Sequence, residues 1–184
     1  MILVHAEVER NIRNVVVKMH NIQRSEDCSR PDYAVKLFKS GFNCAQAVFA
    51  AYADLFGLDL ETSLKMSGAL GGGVGRMREV CGAVLAMSLV AGLKEGNANP
   101  QDEEAKAHIY ELVRKMSDIF RERQGSIICR EILGIEGMEE SAKPSVRTPE
   151  FYSSRPCAGI IKNTAQIIDE VLFSKELDRF YLIT

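Results

Sequence analysis

Beyond residue 30 the chain alternates apolar stripes at helical spacing with glycine, asparagine and proline breaks, and that rhythm predicts helices. Pro31 can open a helix with Asp32 in its first turn; Ala34, Leu37 and Phe38 share a face and Gly41 closes it, over about 31–40. Asn43 with Gln46 has the spacing of a capping box, and Ala47, Val48, Ala51, Tyr52, Leu55 and Phe56 continue a stripe to Gly57. A third helix is expected over about 60–70, ending in the glycine loop of Gly71, Gly72, Gly73 and Gly75. From Glu79 to Lys94 nearly every residue is small or apolar, which suits a buried central helix. Asn97, Asn99 and Pro100 break it before a long amphipathic helix over about 101–124, with Ala105, Ile109, Leu112, Val113, Met116 and Phe120 on one side. A short helix over about 126–133 would carry Cys129 midway; 135–155, with Pro144 and Pro149, reads as an irregular surface excursion; Pro156 opens a last helix to about Phe173.

The sole β-branched run, Val15 to Val17, fits a helical stripe equally well, so the expected fold is all-α. It is a single-domain helical bundle of about six to seven helices over 31–173, with a glycine-rich loop before its buried central helix. Residues 1–30 read as a flanking helix or tail and 174–184 as a C-terminal tail.

Composition narrows the function. In 184 residues, 23 basic side chains against 25 acidic ones leave a formal charge of −2, so there is no basic excess for nucleic acid. No apolar run reaches the roughly 18 residues a membrane span needs. The first residues, acidic by Glu7, do not form a secretory signal, so the expected location is cytoplasmic. Thiols stay reduced there, and the five cysteines become candidates for metal ligands, redox thiols or buried packing residues.

Cys28, Cys44, Cys81, Cys129 and Cys157 include no Cys-x-x-Cys pair, so any shared site must be assembled by folding. Cys44, Cys81 and Cys157 each fall in the first turn of an expected apolar helix, followed by small residues that leave room beside the sulfur. Unpaired amides and the positive dipole end there should favour a thiolate, lowering the thiol pKa from about 8.5 toward 3.5–7.5. A single free cysteine is more often simply buried, and three in the same helical position weaken that reading.

The ordered blocks Gly41-Phe42-Asn43-Cys44-Ala45-Gln46-Ala47, Gly71-Gly72-Gly73-Val74-Gly75-Arg76-Met77, Val80-Cys81-Gly82-Ala83, Cys129-Arg130-Glu131-Ile132-Leu133-Gly134 and Cys157 resemble the C_GCAxxG_C_C family of redox-active proteins over about 31–173. The second cysteine departs from the family name, reading Cys-Gly-Ala where the name implies Gly-Cys-Ala. The resemblance implies that Cys44, Cys81, Cys129 and Cys157 are the redox thiols and leaves Cys28 outside. The family is also similar to the iron–sulfur part of split-Soret cytochrome c. That likeness implies an iron–sulfur cluster or another thiophilic metal as an alternative occupant of the same four cysteines. Covalent haem is excluded, because the chain has no Cys-x-x-Cys-His.

Other features read more plainly. Gly71 to Gly75 lacks both the dinucleotide and the Walker pattern and follows a helix, so its expected role is to pass close to the cysteines and deliver Cys81. Arg76 and Arg78 beside it would favour thiolates. His5, His20 and His108 are scattered surface residues; Glu103, Glu104, Glu139 and Glu140 are solvated charge; Met66, Met77, Met87 and Met116 are expected in or near the core. Three readings result. The first is a redox centre, thiol/disulfide or electron-transferring, in an oxidoreductase or electron-transfer protein with an unidentified redox partner. The second is a zinc or iron–sulfur protein using the same four ligands, and the third a helical interaction module with inert cysteines. A homodimer fits all three.

Overall fold

The computed structural model describes residues 22–136 and 140–174. Among them are eight α-helices and no strand. The expected flanking segments over 1–21 and 175–184 lie outside the described residues.

Helix α1 (Arg30–Lys39) starts where Ser29 accepts the Asp32 amide, carries Pro31 in its first turn and buries Tyr33, Ala34, Leu37 and Phe38. Helix α2 (Cys44–Ala50) has the full capping box: Asn43 accepts the Gln46 amide at 3.0 Å while the Gln46 side chain accepts the Asn43 amide at 3.0 Å. It ends earlier than the stripe suggested, because the chain tightens into a 3-10 turn, Ala53–Phe56, closed by Gly57 at φ 72°. Helix α3 (Leu60–Ser67), capped by Asp59, runs into a second 3-10 turn, Gly68–Leu70. Then come α4 (Gly82–Glu95), α5 (Glu103–Gln124), α6 (Cys129–Leu133), α7 (Pro149–Ser153) and α8 (Cys157–Leu172). The 135–155 excursion is thus not wholly irregular: Thr148 caps α7 and Pro149 opens it.

Helices α2, α4 and α8 pack on one another at the centre, with α1 against α2 and α8, α3 against α2, and α5 against α4 and α8. Phe49, Leu37, Met87, Met116, Phe120, Ile161, Ile167 and Ile168 fill the space between them and are almost fully buried. Each such side chain contributes roughly 1.5–3 kcal/mol of transfer free energy. Tyr52 is equally buried, so its hydroxyl needs partners, and it lies 2.7 Å from the Ala165 carbonyl and 2.8 Å from an Asp169 carboxylate oxygen. Met87 and Met116 are core as expected, whereas Met66 and Met77 are exposed, because one lies on the wet face of α3 and the other in the glycine loop. No helix among the described residues is long and apolar enough to cross a membrane.

One tie outside the helices positions the site. Val80 and Ile128 form an isolated antiparallel bridge; the Cys81 amide donates to the Ile127 carbonyl at 2.8 Å and the Cys129 amide to the Glu79 carbonyl at 2.6 Å. It holds the exit of the glycine loop against the entrance of α6.

Candidate functional site: a cavity lined by four cysteines

Four of the five cysteines sit at helix starts. Cys44, Cys129 and Cys157 are the first residues of α2, α6 and α8, and Cys81 caps α4. Two placements differ from expectation for one reason: the bridge holds Val80 and Ile128 extended, so α4 begins only after Cys81 and α6 begins at Cys129. All four line one cavity of about 430 Å³, and all are free thiols. Cys28, half-buried in the turn before α1, does not line it.

Glycines permit this convergence. A Cβ on Gly82 would lie 2.7 Å from Cys44 Sγ and 2.7 Å from the Leu70 carbonyl oxygen; one on Gly73 would lie 2.8 Å from Cys129 Cβ. Real side chains do not tolerate such contacts, so α4 can approach Cys44 only with glycine there.

The glycine loop is wound in the left-handed region. Gly72, Gly73, Val74, Gly75 and Arg76 run consecutively at φ 54–71°, and Arg78 follows at 62°. Val74, Arg76 and Arg78 carry side chains in a conformation that costs them of order 1 kcal/mol or more each. The coil is held by its own amides: Gly75 donates to Ala69, Arg76 to Gly71, Arg78 to Gly72 and Glu79 to Gly73, at 2.7–3.2 Å. Val74 and Met77 bond within it as well, so every amide from 74 to 79 is satisfied by the coil's own carbonyls.

Thiol acidity runs opposite to the helix-start expectation. Burial pushes Cys81 up strongly, with the neighbouring Cys44 and Cys129 adding to it. Burial likewise raises Cys129, against a hydrogen bond from Arg78. Cys157 is pushed up to about 11, first by burial and then by Cys44 and Cys129, against Arg155 and Arg147. The Ala83 and Val84 amides do pull Cys81 down, as a helix start should, but the lost hydration of a buried thiolate outweighs them.

The charged residues in the rest of the wall are all cationic. Arg76, Arg78, Arg147 and Arg155 line the cavity, and the described lining residues include no aspartate or glutamate. Arg78 is only 4% exposed. Arg147 lies over three rings, Phe151 at 4.4 Å, Phe38 at 5.0 Å and Tyr152 at 5.9 Å, and Arg155 lies over Phe151 at 4.8 Å. Arg76 donates to Ser145 at 3.1 Å, which draws the 140–155 stretch over the cavity, so it is part of the site's wall. Sequence reasoning singled out Arg76 and Arg78 but not Arg147 or Arg155. Arg155 had a usable signal, standing two residues before Cys157; Arg147 had none, since only folding brings it to the three rings.

Chemically, four thiols on one cavity can exchange electrons as dithiols and disulfides, or offer a set of sulfur ligands. Among the described residues no group of three or more His, Cys, Asp or Glu is placed to hold a single metal ion. Residues 42–171 match the family described as "Putative redox-active protein (C_GCAxxG_C_C)". No curated protein and no solved structure matches the chain.

Proposed function

Because the chain belongs to the C_GCAxxG_C_C family, we propose that Cys44, Cys81, Cys129 and Cys157 form a thiol redox centre that cycles between dithiol and disulfide. One observation carries this: all four line a single cavity, and Cys44 raises the thiol pKa of each of the other three. The matched span contains these four and leaves out Cys28. Forming one disulfide removes two thiols together with two protons and two electrons and leaves an uncharged S–S bond, which a site that disfavours buried thiolates can accommodate. Thiols held protonated at neutral pH react slowly with oxidants in bulk solution, since the thiolate is the nucleophile. The centre therefore answers to a partner admitted to the cavity, as in an oxidoreductase.

Differential alkylation with mass spectrometry across a series of dithiol/disulfide buffers tests this. A reversible disulfide with Cys44 as one member is expected, lost in Cys44→Ser and retained in Cys28→Ser. Absence of any reversible pair at every poise would overturn the thiol reading.

A second reading is favoured by the breadth of the cavity. The four cysteines surround about 430 Å³ beside guanidinium groups instead of closing on one point. Such a sulfur donor set suits an iron–sulfur centre better than a single tetrahedral zinc. Cys44, Cys81, Cys129 and Cys157 would hold it, and it would supply one-electron transfer. Iron with matching sulfide in anaerobically purified protein selects this reading; its absence leaves the thiol centre in front.

A further inference from the structure

The cysteines account for one side of the cavity; the other side has chemistry the redox reading does not use. Arg147 and Arg155 share the Phe151 ring, 4.4 Å and 4.8 Å from its centre, so neither guanidinium is free to swing into solvent without giving up that stacking. Arg147 Nη1 is buried, with no hydrogen-bond partner among the described residues. Its Nη2 donates to the Phe42 carbonyl at a long 3.4 Å. A buried donor left without an acceptor destabilises the fold unless something supplies one. The same two arginines act on the thiols: both pull Cys157 down, and Arg155 pulls Cys129 down. Of the three thiols raised by burial, Cys157 is the one only half-buried.

We infer that Arg147 and Arg155 form an anion-binding wall, and that the occupant is a small organic disulfide bearing carboxylates, whose sulfurs meet Cys157. A planar guanidinium matches a carboxylate in two parallel hydrogen bonds, which is why arginine rather than lysine serves this recognition. The cavity, about 430 Å³, is of the size that takes a small molecule. The disulfide half of this inference rests on the thiol reading; the anion half rests on the arginines alone.

The step balances as ordinary exchange. Cys157 loses its proton and attacks one ligand sulfur; the ligand S–S bond breaks, and one half leaves as a thiol carrying a proton. A second cavity cysteine attacks the resulting mixed disulfide, a protein S–S bond forms and the other half leaves as a thiol. Two protein thiols are oxidised and one ligand disulfide is reduced to two thiols.

Three disulfides of similar size and different charge separate the parts: dithiodiglycolate (anionic), 2-hydroxyethyl disulfide (neutral) and cystamine (cationic). Each is mixed with the reduced full chain at pH 7.5 and its rate divided by that with a free model thiol. The anionic disulfide should react about tenfold faster than the neutral one and the cationic one slower still. In Arg147→Gln/Arg155→Gln the ratio of the anionic to the neutral rate should fall to about one, while the neutral rate itself drops because both guanidinium groups favour the Cys157 thiolate; a helical circular dichroism spectrum matching the wild type reports that the variant is folded. Arg155→Gln alone, which leaves the Arg147 stack in place, should lose about threefold. Equal normalised rates in the wild-type chain, or an advantage that survives the double variant, overturn the anion wall. No thiol consumed by any of the three overturns the thiol reading instead, and the disulfide assignment falls with it.

Discussion

The two sides of the cavity are built by different physics. On one side α2, α4 and α8 deliver Cys44, Cys81 and Cys157 from helix starts whose positions follow from caps, a proline and the apolar core behind them. On the other, the 71–80 coil and the 140–155 stretch deliver four arginines through left-handed backbone, ring stacking and a few hydrogen bonds. The difference teaches that sulfur positions are tied to the stability of the whole bundle, whereas the charge around them is set by segments that carry little of the core. Reactivity can then be retuned at the arginines without moving a sulfur.

If that contrast holds, the largest effect belongs to the helix side. Gly82→Ala puts a methyl 2.7 Å from a backbone carbonyl and from Cys44 Sγ, and overpacking of this kind should cost about 2–3 kcal/mol in urea unfolding. A loss below about 0.5 kcal/mol, the scale of an ordinary surface substitution, would mean that the helix side yields as readily as the loop side.

Alkali should come next, and it again reads the sulfurs. The unfolded chain releases thiol protons near 9.0, whereas Cys157 holds its proton to about 11, and Cys81 and Cys129 are raised as well. The folded state therefore binds more protons in that window, so its thiol-linked stability is complete below about pH 9 and falls as pH rises through 11. The slope should be at most about 1.4 kcal/mol per pH unit per thiol. Urea midpoints between pH 7 and 10.5 check the sign, and Cys157→Ser should flatten the curve; stability that rose with pH would refute the burial argument.

On the loop side a smaller change of opposite sign is expected. Val74 is β-branched and sits at φ 61°, so Val74→Gly should remove strain and raise stability by about 0.5 kcal/mol after the extra entropy of the unfolded glycine is subtracted. A loss of 1 kcal/mol or more would show that Val74 packs more than it strains. Smallest of all is Cys28→Ser, outside the cavity, where a change under about 0.5 kcal/mol is expected and the redox titration should not move.

Much of the helix side was legible in the sequence because its signals are local. The Asn43–Gln46 box fixes the start of α2, hence Cys44, and Pro156 places Cys157. The tie between Val80 and Ile128 was not legible: it is a contact between distant segments with no periodicity, and it moved both Cys81 and Cys129 relative to their helices. Thiol acidity failed for a related reason. A helix start can be read from neighbours in sequence, but the depth of the sulfur cannot, and depth set the sign. Arg147 was missed because its three rings come together only in the folded chain.

The same tie also orders events in the making of the protein. Its hydrogen bonds join residues 78–81 to 127–130, with α4 and all of α5 between them, so closure spans a long stretch of chain that includes both helices. During synthesis Cys44 and Cys81 leave the ribosome well before Cys129 and Cys157, so a growing chain holds half a site with no tie to hold it in place. The finished arrangement appears only when α6 is clipped on and α8 docks, which makes the complete set of four cysteines a late acquisition of the maturing chain.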